Sequence, residues 1–348
     1  MEHLTKALTG ALVLMTLATG LSGCGPAQSG GAPEATTRTI TNASYDPTRE
    51  FYAAYNALFA GHYERETGVT VEVTQSHGGS GSQALAVAQG LPADVVTLAL
   101  ADDIAQVERA GLIDPGWEGE LPRDSAPYTS TIVLLTRAGN PKGIRDWGDL
   151  AREGVGVITP NPKTSGGARW NFLAAWAWAE AQFGGDERQI EAFMKRLYDN
   201  VLVLDAGARG STTSFVENGQ GDVLIAWENE AHLTLKQHPG AYEMVSPSVS
   251  ILCQPAVAVV DGVARSRGSA AVAKAYLEYL YSDEAQRLAA EHFYRPSDEA
   301  ILAAYKDKFD LNLQMTTIAH FGGWQAAQAR FFVDGGAFDR IYERQAGA

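Results

Sequence analysis

The sequence predicts an α/β protein built from two units with a cleft between them. Short β-like runs alternate with longer helical patterns, which is typical of a parallel or mixed sheet covered by helices. The chain has 348 residues, of which 45% are hydrophobic and 20% charged, so it can bury cores in two lobes of ordinary size. Polar, glycine-bearing loops follow strands in both units, and ligands of open α/β sheets bind at such carboxyl ends.

The first 38 residues are predicted to lie outside the folded domain. Residues 1–23 combine a short charged start with an apolar run too short to span a bilayer, which is typical of a signal peptide. They end at Leu21-Ser22-Gly23-Cys24, which resembles a bacterial lipobox, so we predict that Cys24 is lipidated. The alternative is an ordinary signal peptide with an incidental cysteine. Residues 24–38, rich in Gly, Ala, Pro, Ser and Thr, are expected to form a flexible tether.

The first lobe is predicted to comprise residues 39–124 and a returning segment from about 255 to 300. Asp46 and Pro47 suit the start of a helix, as N-cap and first-turn residue respectively. The predicted elements are the strands Thr39–Ala43, Val71–Thr74, Val95–Leu100 and Pro255–Val260, and the helices Ser82–Gln89, Ala270–Tyr281 and Asp283–His292.

The second lobe is predicted to comprise residues 125–254, followed by C-terminal helices in 301–348 that pack across both lobes. Along its long helix, Leu173, Trp176 and Ala177 are expected to share one side. The predicted strands are Thr131–Thr136, Val155–Thr159, Val201–Leu204 and Val223–Ala226, and the long helix is Ala168–Phe183.

Four polar stretches that lead into helices suggest a binding site for an anion. A helix start offers backbone N–H groups without intrahelical acceptors and the positive end of the helix dipole. One such loop is weak evidence, but four in one chain indicate a shared anion held by hydroxyls and amides. The stretches are Ser44–Glu50, Ser76–Gly81, Lys163–Trp170 and Asp205–Ser211.

Three side chains are candidate donors to this anion. Ser80 and Ser165 each place a hydroxyl beside glycines that allow the backbone to approach a ligand. Trp227 ends a predicted strand beside a polar run and carries one N–H donor and no acceptor. The alternative for Trp227 is an aromatic side chain that packs in the wall between the lobes.

The arginines near the loops have two possible roles. Arg169 and Arg209 each follow a loop closely, as does Arg49, and could pair directly with an anion. We favour the alternative that they pair with nearby acids and brace the loops. The acids considered are Asp102, Asp205 and Glu228.

Composition and motif searches exclude several classes of protein. The net charge of −14 argues against a nucleic-acid partner, which needs a basic face. No Walker A motif and no pair of His residues at metal-ligand spacing occurs, so we expect no cofactor and no metal. A Ser-dependent hydrolase that uses Ser80 with His77 stays an unfavoured alternative, because the loop lacks the complete nucleophile-elbow motif. Cys253 lies in an apolar run and is expected to be buried.

From about Ile40 to Arg340, the chain strongly resembles the bacterial periplasmic sulfate-binding proteins of ABC importers. The resemblance implies a two-lobed α/β periplasmic-binding-protein fold of type II-like topology, which closes on a dehydrated sulfate in the cleft. It also implies a monomeric receptor rather than an enzyme, whose partner is the permease and ATPase complex of the importer. The motifs that carry the resemblance are Ser44–Glu50, Gln75–Gly81, Thr159–Trp170, Gly207–Thr212 and Gly221–Glu230.

The resemblance also implies which groups hold the sulfate. Carried over by motif, the donors are the backbone amides of Asp46, Ser165, Gly166, Gly167 and Ala208, the hydroxyls of Ser80 and Ser165, and the indole N–H of Trp227. Sulfate only accepts hydrogen bonds, so a site of donors alone should reject phosphate, whose proton would stay unpaired. Thiosulfate is an alternative ligand for the same donors. The lipobox departs from the many relatives that are freely periplasmic, and it predicts a lipid-anchored protein in the cell envelope.

Overall fold

The computed structural model describes residues 37–342. The predicted signal peptide, Cys24 and most of the predicted tether therefore lie outside the described residues. Within residues 37–342, no helix is both long and apolar enough to cross a membrane. The first strand already begins at Thr37, two residues before the predicted start of the first lobe.

The strands confirm the alternating pattern read from the sequence, with small shifts at their ends. The described residues contain the strands β1 Thr37–Tyr45, β2 Thr70–Gly78, β3 Val95–Leu98, β4 Tyr128–Thr129, β5 Ile132–Arg137, β6 Val157–Pro160, β7 Val201–Asp205, β8 Val223–Trp227, β9 Tyr242–Val245, β10 Ser250–Ile251, β11 Ala256–Val259, β12 Arg295–Pro296 and β13 Met315–Thr316.

Helices occupy most of the segments between these strands, and a 3-10 turn over Asp46–Thr48 leads into the first of them. The helices are α1 Arg49–Thr67, α2 Ser80–Ala88, α3 Ala101–Arg109, α4 Pro122–Ser125, α5 Gly166–Phe183, α6 Glu187–Asp199, α7 Ala208–Val216, α8 Glu228–Gln237, α9 Asp261–Arg267, α10 Ala270–Tyr279, α11 Asp283–Glu291, α12 Glu299–Ala304, α13 Gly323–Ala327 and α14 Ala337–Tyr342. The short α4 is a left-handed turn, with φ near 57° at Arg123.

Lobe 1 is built on a four-stranded sheet with the order β11-β3-β1-β2. Strand β1 runs parallel to both β2 and β3. The late strand β11 joins the sheet antiparallel to β3, which agrees with the expected return of the chain to the first unit. Because β1, β2 and β3 are parallel, their carboxyl ends at Tyr45, Gly78 and Leu98 lie at one edge of the sheet.

Lobe 2 is built on a five-stranded mixed sheet with the order β7-β6-β8-β5-β9. Strand β6 is parallel to β7 and β8, whereas β5 is antiparallel to β8 and β9. The three parallel strands end at Pro160, Asp205 and Trp227. Their carboxyl ends therefore also share one sheet edge, and the predicted loops follow these ends.

Short strand pairs connect the two lobes. β4 pairs with β12, and an isolated bridge joins Ser130 to Cys253, which is fully buried as expected. Beside these strands, Arg295 and Glu228 form an ion pair with N–O distances of 2.7 and 2.8 Å, and the two residues are only 3% and 2% exposed. A buried ion pair with two hydrogen bonds is costly to break on one side only, so it fixes α8 against the connecting strands.

The long helix of lobe 2 is buried on all sides. Leu173, Trp176 and Ala177 are buried, and so are all the other residues from Gly166 to Ala179 of α5. The helix lies between its sheet and aromatic side chains from the C-terminal segment, including Phe331 and Phe338. A helix that is apolar all round is buried all round. In the same segment, Trp324 of α13 packs against Trp170 of α5 at 4.6 Å between ring centroids, and α13 also contacts α3 of lobe 1.

Candidate anion-binding site

A small cavity lies where the carboxyl ends of the parallel strands of both lobes meet. Its empty volume is about 170 Å³, which includes space open to solvent. All four predicted loops contribute to its wall, so the structure brings together segments far apart in sequence. The lining residues are Tyr45, Asp46, Pro47, Gly78, Gly79, Ser80, Ser165, Gly167 and Ala208.

Four helix starts face this cavity. Asp46 is the first residue of the 3-10 turn before α1, Ser80 begins α2, Gly166 begins α5 and Ala208 begins α7. The first N–H groups of a helix have no intrahelical acceptor. No side chain caps the starts at Asp46, Ser80 or Ala208, so their backbone donors stay available to a ligand.

The first turns of α2, α5 and α7 contain no acidic residue. Acidic side chains commonly occupy this position, where they stabilise the positive end of the helix dipole, and α3, α6 and α11 follow that rule. These three helices therefore carry no acid of their own at the cavity, although the carboxyl group of Asp46 lies beside the start of α7 and that of Asp103 beside the start of α5. Such a set of helix starts is suited to an anion.

The indole of Trp227 adds a donor to the same place. Trp227 is 1% exposed, and its Nε1 atom has no hydrogen-bond partner among the described residues. This atom lies 2.9 Å from the position that a Cβ atom would take on Gly167, which lines the cavity. The Tyr45 ring packs against the indole at 5.3 Å between centroids. Buried N–H groups are almost always paired, so this one indicates a missing acceptor.

Ser165 is placed as a donor to the cavity. It is the N-cap residue of α5, and its Oγ accepts a hydrogen bond from the Ala168 N–H at 3.3 Å. A serine hydroxyl has one proton and two acceptor lone pairs. The cap uses a lone pair, so it does not engage the proton of Ser165, which lines the cavity.

The hydroxyl of Ser80 has different partners, which the sequence did not reveal. Its Oγ accepts from the Ala99 N–H at 2.9 Å and is hydrogen-bonded to the carboxyl group of Asp103 at 2.5 Å. Asp103 lies in the first turn of α3 and is 1% exposed. Burial raises the pKa of Asp103, and the charge of Arg169 and the bond from Ser80 only partly offset this. The acidic pair Asp102-Asp103 at the start of α3, directly after a buried strand, is the sequence feature that could have indicated this contact.

The two loop arginines pair with acids, in agreement with the bracing role favoured from the sequence. Nη1 of Arg169 lies 3.2 Å from Asp103 and 3.4 Å from Asp102. Of the three acids considered from the sequence, only Asp102 is a partner. Asp205 instead accepts from Ser211 and Ser214 of α7, and Glu228 pairs with Arg295.

Arg209 links the lobes through two carboxylates. Its Nη1 and Nη2 donate to Glu50 of lobe 1 at 2.8 and 2.7 Å, and its Nε and Nη2 donate to Glu230 of lobe 2 at 3.1 and 3.0 Å. Burial alone would raise the pKa of Glu50, but the hydrogen bonds and charge of Arg209 outweigh burial and lower it. The exposed Arg49 makes only a 4.0 Å contact with Asp46.

Glycines allow the lobes to close tightly around the cavity. A Cβ atom on Gly79 of lobe 1 would lie 2.6 Å from the Thr164 carbonyl oxygen and 2.7 Å from that of Ala206, both in lobe 2. A Cβ atom on Gly207 would overlap the Asp46 carboxylate. Contacts below 3.0 Å with backbone atoms cannot be relieved by a side-chain rotation. The structure is therefore a closed form that only glycine permits at position 79.

We predict that Gly79→Ala prevents full closure around sulfate, the anion that the motif resemblance implies. The φ of Gly79 is −57°, so alanine suits its backbone and lobe 1 should fold normally. Overpacking costs about 1–3 kcal/mol, which corresponds to roughly 5- to 150-fold weaker sulfate binding. Calorimetry should show this loss, and small-angle X-ray scattering in saturating sulfate should show a larger radius of gyration.

Gly61→Ala is a matched control, because the only neighbour of a Cβ there is the Arg65 side chain at 3.4 Å. Its scattering and affinity should match those of the parent. Equal scattering of the Gly79→Ala and parent proteins in sulfate would contradict the closed form described above.

Comparison with known proteins agrees with this architecture. Residues 48–295 match the family described as bacterial extracellular solute-binding protein. The chain is 54% identical over 307 residues to the sulfate-binding protein of Salmonella typhimurium, covering 88% of this chain and 93% of the relative. It is 45% identical over 315 residues to the thiosulfate-binding protein of Pseudomonas aeruginosa, covering 90% and 94%.

A solved structure supports the same assignment. The sulfate-binding protein SubI from Mycobacterium tuberculosis H37Rv superposes with a TM-score of 0.76 at 35% identity, covering 84% of this chain and 99% of that protein. The two-lobed periplasmic-binding fold expected from the sequence is thereby confirmed. The chain belongs to the bacterial extracellular solute-binding proteins, among relatives described as sulfate-binding and thiosulfate-binding proteins.

Proposed function

We propose that this protein is a receptor that captures sulfate outside the inner membrane and delivers it to an ABC importer. The unpartnered Trp227 N–H is the observation that carries the proposal. It points to an acceptor at a cavity where four helix starts also converge. The names of the related proteins support sulfate as that acceptor.

The proposed contacts are all hydrogen-bond donors. In this arrangement the sulfate accepts from the backbone amides of Asp46, Ser165, Gly166, Gly167 and Ala208, the hydroxyls of Ser80 and Ser165, and the indole of Trp227. The arginines nearest to the site are engaged by carboxylates, Arg169 by that of Asp102 and Arg209 by that of Glu50. The ligand charge is therefore stabilised by local dipoles, and release requires no direct ion pair to be broken.

Two alternatives are distinguished by their chemistry. Thiosulfate is also a dianion that accepts hydrogen bonds, and one relative is a thiosulfate-binding protein. A hydrolase would need Ser80 to transfer its proton to a base such as His77, but the Ser80 hydroxyl is hydrogen-bonded to Asp103 instead. Burial lowers the pKa of His77 to about 4. We therefore favour a receptor without turnover.

Titration calorimetry of the protein with sulfate, thiosulfate and phosphate tests the proposed ligand. Sulfate should bind most tightly at pH 7. Phosphate keeps a proton at this pH, and in a site of donors that proton is left unpaired and buried, at a cost of about 1–3 kcal/mol. Phosphate should therefore bind at least roughly fivefold more weakly. Tighter thiosulfate than sulfate binding would reassign the ligand, and tight phosphate binding would contradict the donor set.

Trp227→Phe tests the indole as a ligand donor. The substitution keeps an aromatic ring and removes the N–H group. A hydrogen bond to a charged group contributes about 1.5–3 kcal/mol, so sulfate affinity should fall roughly 10- to 150-fold with little change in melting temperature. Sulfate should also change the tryptophan fluorescence of the parent.

Trp178→Phe is the matched control, because the Trp178 indole donates to Asp146 at 3.0 Å, away from the cavity. It should lower the melting temperature and leave sulfate affinity unchanged. If Trp227→Phe instead binds sulfate as tightly as the parent and melts lower, the Trp227 indole is a packing residue.

We further propose that the mature protein is anchored in the cell envelope by a lipid on Cys24. The lipobox supports this location. Cys24→Ala should abolish labelling by a radioactive fatty-acid precursor, whereas Cys253→Ala should keep the label because Cys253 is buried. Mass spectrometry of the native protein that shows an unmodified N-terminus would rule out the anchor.

A further inference from the structure

Ser80 and Asp103 form a hydrogen-bonded pair at the wall of the cavity. The Ser80 Oγ atom lies 2.5 Å from Oδ2 of Asp103 and 2.9 Å from the Ala99 amide nitrogen. Both side chains are nearly inaccessible to solvent, with 2% and 1% exposure. The same Oδ2 atom lies 2.8 Å from the position that a Cβ would take on Gly166, so it is close to the start of α5.

The position of the shared proton decides what Ser80 can offer to an anion. A serine has one hydroxyl proton. If Asp103 is a carboxylate, it accepts a hydrogen bond from the Ser80 hydroxyl. The hydroxyl then turns only a lone pair towards the cavity. A lone pair repels sulfate. If Asp103 is a neutral acid, its own proton lies between the two oxygens, and the Ser80 proton is free to point at the ligand.

The surrounding charges favour the neutral acid when a dianion is present. Asp102 lies next to Asp103 on α3, and both acids share Arg169 of α5 as a partner. One guanidinium therefore serves two carboxyl groups, with Arg109 as a second cation 3.9 Å from Asp102. Like charges in one buried site favour protonation of one member. Burial already raises the pKa of Asp103 before any ligand is added.

We propose that, in the sulfate-loaded protein, Asp103 is a neutral carboxylic acid that donates its proton to Ser80 Oγ and thereby orients the Ser80 hydroxyl as a donor to the anion. The proposal rests on sulfate being the ligand. The proton comes from solvent and forms an O–H bond on Asp103, and no bond between heavy atoms changes. Asp103 is a positioning residue that acts through Ser80. In its neutral form it does not use the Ser80 proton, so the hydroxyl can act as one of the donors of the site.

Infrared difference spectroscopy of the full chain, with and without saturating sulfate, tests this protonation state. A protonated carboxyl group has a C=O stretching band separate from those of carboxylates and amides. Burial also raises the pKa values of Glu230 and Asp46, so the band must be assigned by substitution. The loaded parent should show a band that is absent from Asp103→Asn.

Asp102→Asn is the matched control, because Asp102 shares Arg169 but makes no hydrogen bond with Ser80 among the described residues. It should keep the band. Ser80→Ala, at sulfate concentrations that saturate it, should keep the band but shift it, because the acid loses its acceptor. This second variant tests the assignment even if Asp103→Asn fails to fold.

Sulfate affinity gives an independent readout. The amide that Asp103→Asn introduces can replace the acid as an N–H donor to Ser80, whereas the methyl group of Asp103→Ala cannot. Asp103→Ala should therefore bind sulfate at least tenfold more weakly than Asp103→Asn. Sulfate binding without a band from Asp103, or equal affinity of the two variants, would overturn this proposal and leave the sulfate receptor intact. Failure of the parent to bind sulfate would overturn both proposals.

Discussion

Unpaired N–H groups at converging helix starts are the constraint on which this structure depends. Both lobes place the carboxyl ends of their parallel strands at one point, so the helices that follow begin there. Because α2, α5 and α7 lack acids in their first turns, the positive potential is not neutralised from within. In the proposed function, an anion between the lobes accepts hydrogen bonds from these donors and thereby stabilises the closed form.

The second constraint is that the arginines near the cavity are paired with acids across the cleft. Arg169 and Arg209 lie near the cavity, but the facing lobe engages them through the carboxylates of Asp102 and Glu50 respectively. The ion pairs across the cleft therefore link the two lobes, and in the proposed site the ligand interacts with neutral dipoles. Glycine at positions 79 and 207 lets the backbones approach closely enough for both kinds of contact. Closure and ligand capture thus depend on the same small set of interlobe contacts.

The sequence anticipated the site better than the ends of the elements that carry it. The loop expected after Val71–Thr74 is largely strand, because β2 pairs with β1 over nine residues up to Gly78. The burial of α5 on all sides was not visible in the sequence pattern, because the C-terminal segment that covers the helix comes from a distant part of the sequence. Such pairings depend on partners remote in the chain, which local patterns do not identify.

The sequence by itself determined the alternating elements, the four anion loops and the candidate donors at Ser80, Ser165 and Trp227, since glycines, hydroxyls and N-cap patterns act over a few residues. Only the tertiary structure decided which acid each arginine meets and that the Ser80 hydroxyl meets Asp103. Those pairings join α2 to α3 within lobe 1 and α1 to α7 across the cleft. They arise only when the chain is folded and its lobes are closed, because charge and hydrogen bonding act through space between residues far apart in sequence.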